Sequence, residues 1–191
     1  MDNTNSMMER LDEFLLDVQK PSRYIGGETG SVVKDKSKVD IRFAFCFPDT
    51  YEIGMSHLGM KILYGLKNAV PNYWCERVFM PLPDMEEQMR ARDIPLYALE
   101  SLDPIKDFDF IGFTLQYEMS FTNILNMLDL AGIPMYAKDR DLDFPLLVCG
   151  GPCAYNVEPI ADFFDIVSLG ESEEWGDEFI DLYKAEKAKG F

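Results

Sequence analysis

"VDIRFAFCFPDTYEIGMSHLGMKILYGLKNAV", residues 39–70, changes its period halfway along. The first ten residues end in a dense apolar run, as a buried strand does. The last fifteen repeat apolar side chains at helical spacing, with Leu58, Ile62, Leu66 and Ala69 on one stripe. A strand followed at once by a helix is the opening half of a βαβ unit.

The same rhythm recurs downstream. Strands are expected at 75–81, 95–101, 108–117, 145–151 and 163–171. Helices are expected over 84–93, with Asp84 as N-cap, over 120–132, ended by Gly132, and over 172–190. Short apolar strands alternating with helices predict an α/β fold: a doubly wound, mainly parallel sheet, Rossmann-like or flavodoxin-like. Upstream, residues 6–19 read as an amphipathic helix with Met7, Leu11, Leu15 and Val18 on one face, stopped by Pro21. "RYIGGETGSVVKD" follows as an arm or short hairpin. The expected organisation is an N-terminal helix and arm over 1–35 and one Rossmann-like domain over 36–191. A helix running up to Gly190 and Phe191 suggests a piece of a longer chain.

At 191 residues the chain can bury a core without disulfides or metals. Its 34 acidic against 18 basic residues give a net charge of −16, which disfavours nonspecific nucleic-acid binding. No apolar run is long enough to span a bilayer, and the polar start has no signal-peptide core. Cys46, Cys75, Cys149 and Cys153 form no disulfide framework, so a cytoplasmic location with reduced thiols is expected.

In such sheets ligands settle beyond the carboxyl ends of the strands, which selects four loops. Loop 47–59 carries Tyr51, Gly54, Ser56 and the chain's one histidine, His57. Ser56 is a possible helix cap, and His57 is either a ligand contact or a residue that packs and caps. Loop 112–123 groups Thr114, Gln116, Tyr117 and Glu118 with Ser120 and Thr122, either of which suits a helix cap. In "LLVCGGPCAYN", 146–156, Gly150 and Gly151 permit a tight turn, while Cys149 and Cys153 fall short of a CxxxCxxC cluster motif because Asn156 holds the third place. Glu171, in "LGESEEW", either faces the site or favours the first turn of the last helix. The GxGxxG fingerprint, the P-loop, GxSxG and HExxH are all absent.

Six blocks in order, "KPSRYIGGETGSVVKD", "FPDTYEIGMSHLGMKILY", "IPLYALES", "GFTLQYEMSFTNILNMLDLAGIP", "GGPCAYNVEPIADFFD" and "LGESEE", resemble the N-terminal region of a bacterial family of radical S-adenosylmethionine (SAM) proteins. Members carry a cobalamin-binding-like domain ahead of the radical barrel. The resemblance implies a Rossmann-like domain, with a [4Fe–4S] cluster and SAM held by the downstream barrel of the full-length protein. It implies cobalamin as the candidate cofactor here, contacted by Tyr51, Gly54, Ser56, His57, Thr114, Gln116, Tyr117, Gly150, Gly151 and Glu171. Gly150–Gly151 matches the double glycine beside which the nucleotide tail of cobalamin runs. The DxHxxG motif around a cobalt-ligating histidine is broken, since Met55 and Met60 stand at its Asp and Gly positions. The expected function is a cofactor- or substrate-binding accessory domain of a radical SAM enzyme. The alternatives are a degenerate docking domain that binds no corrin, and, behind both, a hydrolase or transferase using Cys149 or Cys153. The substrate is unknown, the expected partner is the barrel, and no protein metal ligand is expected.

Overall fold

A computed structural model describes residues 6–187 and 189. Five strands, β1 (Ile41–Phe47), β2 (Tyr73–Phe79), β3 (Phe110–Thr114), β4 (Leu146–Gly150) and β5 (Ile166–Val167), form one sheet in the order β2-β1-β3-β4-β5. Every pairing is parallel. This is the doubly wound, flavodoxin-like order, and the winding reverses between β1 and β3.

Alternation within each strand divides two cores. One face carries Ala44, Cys46, Val78, Ile111, Phe113, Leu147 and Cys149. It is covered by α1 (Met7–Asp12), α4 (Pro83–Ala91) and α5 (Phe121–Ala131), through Leu11, Met85, Met89, Ile124, Met127 and Leu128. The other face carries Phe43, Phe45, Tyr73, Cys75 and Phe110. Among the described residues α3 (Leu58–Ala69) and α6 (Ser172–Lys187) lie over it, and the short α2 (Tyr51–Ser56) adds Tyr51 and Met55. Gly132 ends α5 in the left-handed region, φ 69°, as expected.

Several expected elements differ. Residues 95–101 form no strand, only an isolated antiparallel bridge between Tyr97 and Pro104. Their apolar side chains are buried because the segment folds back against β2, not because it joins the sheet. The N-terminal helix stops at Asp12, the backbone leaves helical geometry at Phe14, and a 3-10 turn, Leu15–Asp17, puts Leu15 and Val18 into the core. The arm forms no hairpin. Asp84 lies inside α4 instead of capping it; Leu82 holds that position, and the Asp84 carboxylate accepts from Gln19 N at 2.7 Å. The expected continuation of α6 over 188–190, apart from Lys189 in a turn, lies outside the described residues, as do residues 1–5 of the N-terminal appendage.

β2 is an edge strand, and an open edge invites pairing with other chains. Here side chains and loops occupy it. Lys34 Nζ donates to Tyr73 O at 2.5 Å. The Asn68 amide bonds both Cys75 N and Cys75 O, at 3.1 and 2.9 Å. The Glu100 carboxylate takes Arg77 N at 2.7 Å, and Leu99 N donates to Arg77 O at 2.9 Å. Two ion pairs lock the same region. Arg42 binds Glu76 at 2.5 Å and Arg77 binds Glu100 at 2.6 Å, both carboxylates having no exposed surface. Burial pushes both carboxyls above the usual range, so their charges depend on the guanidinium beside each. Arg77 also holds the arm through Ser31 at 2.7 Å and stacks on Tyr64.

Arg77→Leu leaves the Glu100 charge buried and unpaired, and urea unfolding is expected to show a loss of about 3–5 kcal/mol. A loss under about 1 kcal/mol, the scale of an exposed pair, would contradict the stapling role.

Candidate functional site

The topology dictates where a crevice opens. The β1–β2 crossover takes α3 to one side of the second face, and α6 returns on the other, so the floor between them is left open over β1 and β3. A cavity of about 260 Å³ fills that gap, just under the ~300 Å³ at which small-molecule pockets begin. Its floor is aromatic. Phe43 lies near-parallel to Phe45 (centroids 5.7 Å apart) and to Tyr73 (6.2 Å), and Phe110 continues the surface. Gly112 exists for this floor, since a Cβ there would stand 2.4 Å from the Phe43 ring. Ile62 and Leu63 of α3 and Phe179 and Ile180 of α6 make the walls.

At the carboxyl edge the lining turns polar. His57, Thr114, Gln116, Gly150, Gly151, Ser168, Glu171 and Ser172 meet there. Gln116 Nε2 donates to Thr114 Oγ1 at 2.5 Å, leaving its amide oxygen and a second N–H for other partners. Six of the ten candidate residues therefore line one cavity. The other four stand apart from it. Tyr51 packs edge-on against Phe79, and Gly54 is buried against the same ring. Ser56 Oγ donates back to Glu52 O within α2 and caps nothing. The Tyr117 hydroxyl donates to Asp49 at 3.0 Å, and that bond raises its pKa. Glu118 is exposed.

His57 itself is the N-cap of α3: its Nδ1 accepts from Met60 N at 3.1 Å, and its ring packs on Phe47. Ser120 holds the N-cap position of α5, but its hydroxyl donates to Tyr117 O instead of capping. The two glycines have different tasks. Gly151 has φ 104°, and a Cβ there would stand 3.0 Å from Leu115 O, so the turn itself requires it. Gly150 ends β4 with only ordinary contacts around an added Cβ, the nearest at 3.5 Å. Gly150 keeps the cavity open; Gly151 makes the turn.

The cysteines are poor nucleophiles. Burial pushes the Cys149 thiol up to about 12, and burial with Glu118 nearby also raises Cys153. Among the described residues no group of three or more His, Cys, Asp or Glu side chains is placed to hold a metal. Also among them, no helix is long and apolar enough to cross a membrane.

The fold and crevice define the class: a doubly wound α/β domain with a cavity at its topological switch point. Over residues 59–191 the chain matches the family described as radical SAM proteins, N-terminal, and it belongs to that family. An uncharacterized protein of Methanocaldococcus jannaschii is 32% identical over 133 residues, 68% of this chain and 24% of that protein. The chain thus spans about a quarter of that relative's length. No solved structure matches. The family match begins at Gly59, inside α3, so β1, at the centre of the winding, precedes it.

Gly151→Ala is expected to destabilise the fold by about 1–3 kcal/mol in thermal or urea melts, Gly150→Ala by less than about 0.5 kcal/mol. Equal effects would contradict the division of roles. Cys149 is expected to alkylate with iodoacetamide at pH 8 at least about tenfold more slowly than a free thiol, whose pKa is near 8.5. A rate equal to the free thiol's would restore it as a nucleophile.

Proposed function

We propose that this domain is the ligand-binding accessory module of a radical SAM protein, and that its ligand is a corrinoid of the cobalamin type. The observation that carries the reading is the cavity over β1 and β3, with an aromatic floor and a polar rim of Thr114, Gln116, Ser168 and Glu171. A radical SAM domain further along the same polypeptide would hold the [4Fe–4S] cluster and SAM. The family description and the M. jannaschii relative, of which the matched residues make up only 24%, support that arrangement.

The residues fit the organic part of such a cofactor. The floor of Phe43, Phe45 and Tyr73 suits a flat, uncharged ring, and Gly150 leaves room beside the backbone. His57 is not set up as a cobalt ligand, because its Nδ1 lone pair accepts from Met60 N, which leaves the proton on Nε2, and the motif around it is broken. Bound cobalamin would supply a cobalt centre for group transfer. The chain's own part is to bind and orient the cofactor and to exclude water from its inserted end.

Titration of the purified chain with hydroxocobalamin tests this. Binding in the micromolar range is expected, with the corrin spectrum unchanged between wild type and His57→Ala. Gly150→Val, which fills the cavity mouth, is expected to weaken binding at least about tenfold, or 1.4 kcal/mol. No spectral change or heat at high micromolar cobalamin would remove the corrinoid and leave a docking module.

A further inference from the structure

The structure turns the apolar stripe of α3 outward. Leu58, Ile62 and Leu66 are 68, 45 and 46% exposed, and Ala69 and Val70 continue the face. The core side of the same helix is Met60, Tyr64 and Lys67. A helix apolar on both faces belongs between two bodies, and here only one side is covered. Charge singles out the same face. Residues 53–75 contain no Asp or Glu, in a chain with 34 acids among 191 residues, and Lys61 is exposed beside the stripe. On a body of net charge −16 this helix carries no carboxylate of its own, so another protein can settle on it through apolar contacts.

We infer that this face of α3 is the docking surface for the downstream domain of the same polypeptide; the inference rests on the reading of the chain as one module of a longer radical SAM protein. Two observations favour that occupant over a second copy. The chain covers only 24% of its M. jannaschii relative and belongs to a family defined as N-terminal. In addition, α6 packs beside α3 and is held at its far end by Lys187 on Asp109 (2.5 Å) and Lys184 on Asp40 (3.4 Å), at the amino edge of the sheet. The last turn of α6 therefore lies at the amino edge of the sheet, the edge at which α3 also ends before β2 begins. The partner surface is apolar, rimmed by a carboxylate that meets Lys61. Because Ile62 belongs both to this face and to the wall of the cavity, docking also closes one side of the ligand site.

The test compares maleimide labelling of Ile62→Cys in the 191-residue chain and in the full-length protein. Labelling at least about tenfold slower in the full-length protein is expected. Ile62→Glu with Leu66→Glu is expected to leave the melting temperature of the isolated domain unchanged, while exposing the interdomain segment of the full-length protein to protease. Equal labelling in both contexts overturns the inference. So does a dimer of the isolated chain in sedimentation that the double variant abolishes, since the occupant is then a second copy. Protection of Ile62→Cys in a full-length protein that never shows iron–sulfur absorbance upholds docking and removes the radical SAM reading, so the two fail separately.

Discussion

The sheet reverses its winding between β1 and β3, and most of what this domain can do follows from that reversal. β1 is paired on both sides, to β2 over seven residues and to β3 over four. Right-handed crossovers then send α3 and α5 to opposite faces. Among the described residues one face receives three helices and is sealed; the other receives α3 and α6, with the short α2, and keeps a gap. No particular side chain opens the crevice. Side chains decide only its character, and here they make it aromatic below and polar at the rim.

A sheet of five parallel strands must also dispose of its edges. β5 is two residues long and offers little. β2 is seven residues long, and its outward backbone groups are taken by Lys34, Asn68, Leu99 and Glu100. Holding those groups requires buried charge, and the Arg42–Glu76 and Arg77–Glu100 pairs keep it compensated. Such pairs add little net stability over apolar packing, but each is costly to break from one side. Their effect is to fix one arrangement of the arm, the 95–101 segment and the edge strand. The arm is accordingly tied in by Val32, whose N–H meets Tyr64 and whose carbonyl meets Trp74.

The fold class and the four carboxyl-edge loops were legible in the sequence, because strand alternation and helical period survive in any context. What failed did so for identifiable reasons. "PLYALES" has the composition of a strand, yet Glu100 and Ser101 bond to Arg77 and Arg42 instead of leaving the backbone to the sheet. The stripe of α3 is a true helical stripe, but periodicity cannot say which side faces the core. The loop rule found His57, Thr114, Gln116, Gly150, Gly151 and Glu171. It did not single out Phe43, Phe45 and Gly112, which lie on the sheet face, or Phe179, which comes from α6. A spacing of two puts Phe43 and Phe45 on one face of the strand, but the apolar run through "FAFCF" does not show which face the helices leave open.

The central claim is that the crevice over β1 and β3 is where this domain takes its ligand. Amide chemical-shift mapping of the labelled 191-residue chain with hydroxocobalamin addresses it most directly. Shifts concentrated at Gly112–Gln116, Gly150–Gly151 and Ser168–Ser172 are the predicted result. Shifts concentrated instead around Thr29–Val32 and Lys61–Gly65, in the separate cavity beneath the arm, would contradict it.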